Sequence, residues 1–358
     1  MSDKPKVYVA GVGMINALGD TVEKVAAAVS AGINRYQISE FFNKELQPFI
    51  MATVPNGIFD EFESDIETGN YYGQLYGRLI KMSIIAIREA IKGISPKGPI
   101  PLVLALPQSR DKAIPQPAEL ILHNIKIQPD LAQVDIKQAQ LIHTGRAGGI
   151  QTLEIAQRFL YGLNHEYVLI GGVDSYCEYP ILMALDEDKR LMATGRMDSF
   201  VPGEGAAFLL VTRNPAVALQ VQGQCISLGN PGIAQEPGYM ESEEPYLGEG
   251  LDQAFKKALL NTREPVTTLY SSMNGENFWA KEYGVALMRN QQHFVEELNV
   301  EHPADCFGDL GAATGTTLLI LSAARLLSRE KESSHLVYAS SDNQWRAVVG
   351  LNKVPQLR

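Results

Sequence analysis

The chain has few of the residues that would tie it to a disulfide scaffold, a metal or a membrane. Only three of its 358 residues are cysteines, Cys177, Cys225 and Cys306. They are odd in number, far apart and include no C-x-x-C pair, so neither a disulfide framework nor a zinc site is suggested. Positive charge is in deficit: 31 Lys+Arg against 41 Asp+Glu leave a formal net charge of −10. That balance disfavours broad attraction to nucleic acid or to an anionic bilayer. No charged-then-apolar leader opens the chain, because MSDKPK runs directly into VYVAG at 7–11. No apolar stretch is expected to reach membrane-spanning length. The greasiest segment, LLILSAARLL at 318–327, is interrupted by Ser322 and Arg325 and reads as a buried helix. A reducing cytoplasm is the expected setting. The histidines (His123, His143, His165, His293, His302 and His335) show no pair at helical ligand spacing, and His302 with Asp305 and Cys306 is the nearest approach to a cluster. A phosphate-binding G-x-x-x-x-G-K-[ST] is absent. Gly11-Val-Gly13 is followed by Asn16 where a dinucleotide fingerprint needs glycine, so this run reads as a structural tight turn. No cofactor is expected.

What is present is a long globular pattern, 45% hydrophobic and 20% charged, more than one small core requires. Short apolar runs at 7–11, 102–106, 167–172, 206–211 and 336–340 have the character of strands buried on both faces. Helical spacing occupies 21–31, 74–92, 150–161 and 316–328 between them. The alternation predicts an α/β protein with largely parallel sheets. Part of the plan occurs twice. GRAGG (145–149) opens a helix, a strand ends in GGVDS (171–175), and GEGAAFLLV (203–211) follows. Later, DLGAATG (309–315) opens a helix, a strand ends in YASSD (338–342), and AVVGL (347–351) follows. Two similar halves, 1–215 and 216–358, are expected. Small residues at the starts of both apolar helices would let them pack closely between sheets. Residues 232–250, with five glutamates, no basic residue and several Pro and Gly, read as a solvated surface loop.

In order along the chain, VYVAGVGMINALG (7–19), GRAGGIQTLEIAQRFLYG (145–162), GGVDSYCEYP (171–180), RMDSFVPGEGAAFLLV (196–211) and FGDLGAATG (307–315) resemble landmarks of β-ketoacyl synthases of the thiolase superfamily. The resemblance implies a thiolase-like five-layer αβαβα sandwich built of two similar halves, and a protein that normally dimerises. It also implies where catalysis should sit, and there the sequence departs. Arg146 stands where the nucleophilic cysteine opens the first buried helix, and a guanidinium can be neither nucleophile nor base. Asn274 stands at the first catalytic histidine and Gly308 at the second. The family lysine falls near Pro303, and SDNQ (341–344) replaces the Gly-Phe-Gly-Gly turn. The Cys-His-His set is therefore expected to be missing, with no decarboxylation left, since that step relies on the histidine pair.

An arginine at a buried helix start meets the positive end of the helix dipole and needs a carboxylate. Asp309 and Asp342 are the expected partners, in a remnant pocket with Asn274 and, at its mouth, His143. The resemblance implies a protein partner, because chain-length factors also lack the cysteine and work beside an active ketosynthase. A non-catalytic scaffold, adaptor or dimerisation partner is the preferred reading. An acyltransferase of fatty-acid or polyketide synthesis using an altered site is the alternative. Acyl carrier protein is disfavoured as a partner because it is acidic and so is this chain.

Overall fold

The computed structural model describes residues 6–60, 62, 65–68, 73–108, 117–193, 196–260, 262 and 264–356. The first half runs β1 (Val7–Asn16), α1 (Val22–Ser30), β2 (Gln37–Phe42), β3 (Pro48–Met51), α2 (Asn56–Asp60), α3 (Gly73–Ala90), β4 (Ile100–Ala105), α4 (Ala118–Ile127), β5 (Val134–Ile142), α5 (Gly148–Gln157), β6 (Tyr167–Ser175), α6 (Tyr179–Glu187) and β7 (Glu204–Thr212). The second runs β8 (Gln220–Val221), β9 (Gln224–Leu228), β10 (Gly232–Gln235), α7 (Glu249–Leu259), β11 (Val266–Ser271), α8 (Asn277–Arg289), β12 (Phe294–Glu301), α9 (Ala304–Phe307), α10 (Thr314–Ser328), β13 (Ser334–Ser340) and β14 (Trp345–Pro355).

The strand order is the same in both. The first half reads β1-β7-β6-β4-β5 and the second β9-β14-β13-β11-β12. In each, the first two neighbours pair antiparallel and the next two parallel. The sheets join where β1 meets β9, through Val7↔Leu228 and Tyr8↔Ser227. Helices α5 and α10 touch strands of both halves, α3 and α4 cover the outer face of the first sheet, and α7 and α8 that of the second. Three apolar clusters fill the spaces between these five layers. This is the thiolase-like sandwich. Strands β4, β6, β7 and β13 are buried along their whole length, because helices cover both faces of the sheet.

The start of α1 is locally encoded. Thr21 caps α1, its hydroxyl accepting from the Lys24 amide at 3.3 Å. Two predictions needed revision. The strand expected at 7–11 continues to Asn16, because Gly11 and Gly13 are not turn residues. A Cβ on either would stand 2.0 Å from a carbonyl of α3, Ala90 or Ala86, so these glycines let the helix lie against the strand. The segment expected to be a loop from 232 begins with β10, which pairs with β14. Gly232 serves α7 in the same way, its Cβ position lying 2.0 Å from the Ala254 carbonyl.

The two central helices cross at Gly149 and Gly315. A Cβ on Gly149 would lie 2.6 Å from the Thr316 amide nitrogen. Gly149→Ala is expected to destabilise by about 1–3 kcal/mol through overpacking. Gly284→Ala, where no atom lies within 4 Å, should stabilise by up to about 1 kcal/mol through helix propensity. Urea midpoints at constant m value check both. By length and mean hydropathy, Gly311–Ser328 is able to span a membrane, contrary to expectation, but 78% of it is buried inside the protein.

Candidate functional site

The N-termini of α5 and α10 meet in the middle of the sandwich. Arg146 lies in the helical turn Gly145–Ala147 that leads into α5 and is 3% exposed. Its guanidinium donates from Nη1 to Asp309 Oδ2 at 2.6 Å, from Nη2 to Asp342 Oδ1 at 2.6 Å, and from Nε to the Ser340 carbonyl at 2.9 Å. Asp342 is shared with Arg190, whose Nη1 lies 2.9 Å from Oδ2. Arg190 also grips Glu276 in fork fashion, Nε to Oε1 at 2.7 Å and Nη2 to Oε2 at 2.9 Å. Asn274 Nδ2 bridges the carboxylates of Glu276 and Asp309 at 3.0 and 2.9 Å. Trp279 donates its indole N–H to Glu276 at 3.0 Å and offers its ring face to Arg146, 4.6 Å from the centroid. Two guanidinium groups thus face three carboxylates. Burial alone would lower the pKa of Arg146, but Asp309 and Asp342 reverse this and hold it above its ordinary value. Arg190 behaves likewise beside Glu276 and Asp342.

The backbone amides around this point have acceptors. Ala147 N–H donates to Ser341 Oγ at 2.9 Å, Gly311 N–H to Asp309 Oδ1 at 2.8 Å, and Ala312 N–H to Asp174 Oδ2 at 2.8 Å. Gly308 has φ +73°, and a Cβ there would approach the Val201 carbonyl to 2.6 Å. A side chain at this position would need the backbone to move.

Arg146, Asp309, Asp342 and Asn274 therefore come together. His143 does not join them. It is exposed, its Nδ1 3.1 Å from the Pro107 carbonyl, because it lies just past the end of β5 on the outer side of the turn. Residues with no motif to mark them complete the network: Arg190, Glu276 and Trp279. Glu276 follows Asn274 by two positions and was within reach of sequence reasoning, whereas Arg190 sits in an irregular segment after α6. A second buried pair, Arg346 with Glu282, also neighbours Trp279, the Arg346 guanidinium 5.6 Å from its ring centroid. Burial pushes the Glu282 carboxyl up, even with Arg346 and Ser340 beside it.

Chemically, this constellation balances charge: each of the three carboxylates is held by a guanidinium. Burial raises the pKa of Cys177, Cys225 and Cys306, which leaves each a poor thiolate. No group of His, Cys, Asp and Glu able to hold a metal occurs among the described residues. His302, Asp305 and Cys306 lie near one another but form no such group.

The paired sheets and the two buried helix starts define a thiolase-like fold. No family model matches the chain, and no curated protein matches its sequence. Solved structures do. The ketosynthase ApeO in complex with its chain length factor ApeC, from Xenorhabdus doucetiae, is similar at a TM-score of 0.72 and 14% identity, over 99% of this chain and 100% of that one. The oxazolomycin ketosynthase domain OzmH KS7 of Streptomyces albus JA3453 is similar at 0.74 and 12%, over 99% and 76%. A type II acyl-carrier protein complex with its ketosynthase, AntDE:AntF, gives 0.74 and 13%, over 98% and 100%. At such identities the likeness establishes the ketosynthase fold.

Proposed function

We propose that this chain is a non-catalytic ketosynthase-like protein of the cytoplasm that acts as the partner or scaffold of a second protein. Its halves divide at 215/216. The observation that carries the reading is the buried Arg146 guanidinium tied to two aspartates, at the position where the resemblance would put the family's nucleophile. Asn274 and Gly308, at the histidine positions, cannot relay protons. The acidic composition speaks against acyl carrier protein, while the similar ketosynthase ApeO is found in complex with its chain length factor ApeC, which supports a protein partner. The partner we favour is a second thiolase-like chain, either another copy or a relative. Strand β5 ends the first sheet with an unpaired edge among the described residues, and Leu141 on it and Leu163 nearby are exposed.

Two measurements test this. After incubation with an acyl thioester, mass spectrometry should show no acylated residue in the natural chain or in Arg146→Cys; stable acylation of the natural chain overturns the reading. Light scattering should show a dimer, alone or with a thiolase-like chain recovered from the native host, that Leu141→Lys disrupts. A chain that stays monomeric at native concentration with every such partner removes the partner reading.

A further inference from the structure

We propose that the ion network is a latch between the two halves, and that an apolar cleft at the far end of α10 gives one half room to rock on the other when the latch loosens. The inference rests on the two-half division above and is independent of the partner reading. Every ion pair that joins residues 1–215 to 216–358 among the described residues belongs to this network: Arg146 with Asp309 and Asp342, and Arg190 with Glu276 and Asp342. The other ion pairs, Arg78–Glu204 and Arg346–Glu282 among them, stay within one half. The latch closes the N-terminal ends of α5 and α10. At the other end of α10, about 20 Å away by helix rise, packing is incomplete. There β1 and β9 part after their two paired positions, leaving a cleft of about 260 Å³. Val9, Val12 and Val22 line it from the first half, and Ile226, Ile320 and Leu327 from the second. Close-packed layers cannot shift past one another without free volume. Here the free volume lies between the halves, at the end opposite the charges that tie them.

Hydrogen exchange of the full chain tests this. Arg190→Gln, at the rim where the side chain is 13% exposed, should speed exchange about tenfold in peptides on both sides of the latch, 145–153 and 309–317, together. Arg146→Met should do so more strongly. Arg346→Met, which breaks a pair inside the second half, should speed exchange around α8 and β14 and leave 145–153 unchanged. Ala324→Leu, which fills the cleft, should slow the latch peptides again in the Arg190→Gln background. Acceleration on one side alone, no acceleration, or the same pattern from Arg346→Met overturns the proposal. If Arg146→Met does not fold, Arg190→Gln and Ala324→Leu decide it, and neither readout depends on catalysis or on a partner.

Discussion

Arg146→Ala is expected to lower the unfolding free energy by about 3–5 kcal/mol, because it leaves buried carboxylates without their counter-charge. The site changes from two guanidinium groups facing Asp309, Asp342 and Glu276 to one guanidinium facing the same three carboxylates. Repulsion between Asp309 and Asp342 is then unshielded, and the Ser340 carbonyl loses its donor. Arg146→Met with Asp309→Asn restores the original charge difference of one. It should recover part of the loss, a coupling of about 2 kcal/mol for residues in direct contact. The amide keeps an acceptor for the Gly311 N–H. Denaturant titration of the two singles and the double measures this, and additive effects would show that Arg146 and Asp309 do not act as a pair.

Acid should destabilise the protein through His335. Its ring is fully buried in β13. Nδ1 lies 3.1 Å from Ser322 Oγ and Nε2 lies 2.8 Å from Glu332 Oε2. A neutral ring with its proton on Nε2 satisfies both, donating to the carboxylate and accepting from the hydroxyl. Burial lowers its pKa to about 4, against the opposing pull of Glu332. The folded protein therefore resists a proton that the unfolded chain accepts near pH 6.5. The resulting stability is fully present above pH 6.5 and is lost as pH falls through about 4, a decline of about 3 kcal/mol. Glu332, held below its ordinary value by Arg325 and His335 despite burial, adds to the loss in the same direction. Stability measured from pH 7 to pH 4 should fall along this course in the natural chain and flatten in His335→Gln. Identical slopes in the two proteins would exclude His335 as the source.

The layered architecture was legible because local patterns and tertiary roles agree. Runs such as YVLIGG and LVYAS are apolar throughout because helices cover both sheet faces, and the spacing of α1, α3 and α10 follows their buried faces. The need of Arg146 for a carboxylate was legible too, since burial of an unpaired guanidinium is too costly at a helix start. Less was visible where a residue's conformation depends on a distant neighbour. Gly11 and Gly13 read as turn residues until α3 is placed against them. Arg190 carries no local signal, because its partners Glu276 and Asp342 lie 86 and 152 positions further along the chain.

Composition and periodicity were enough to read an acidic α/β chain of two similar halves. Those are properties of single residues and of short repeats, which need no folded neighbour to be read. That both aspartates share Arg146, that Arg190 and Trp279 complete the network, and that Gly308 has no room for a side chain depend on distances between remote segments. Such distances exist only once β13, α8 and the two central helices have packed together, so the meaning of Arg146 as a tie between halves came from the folded arrangement.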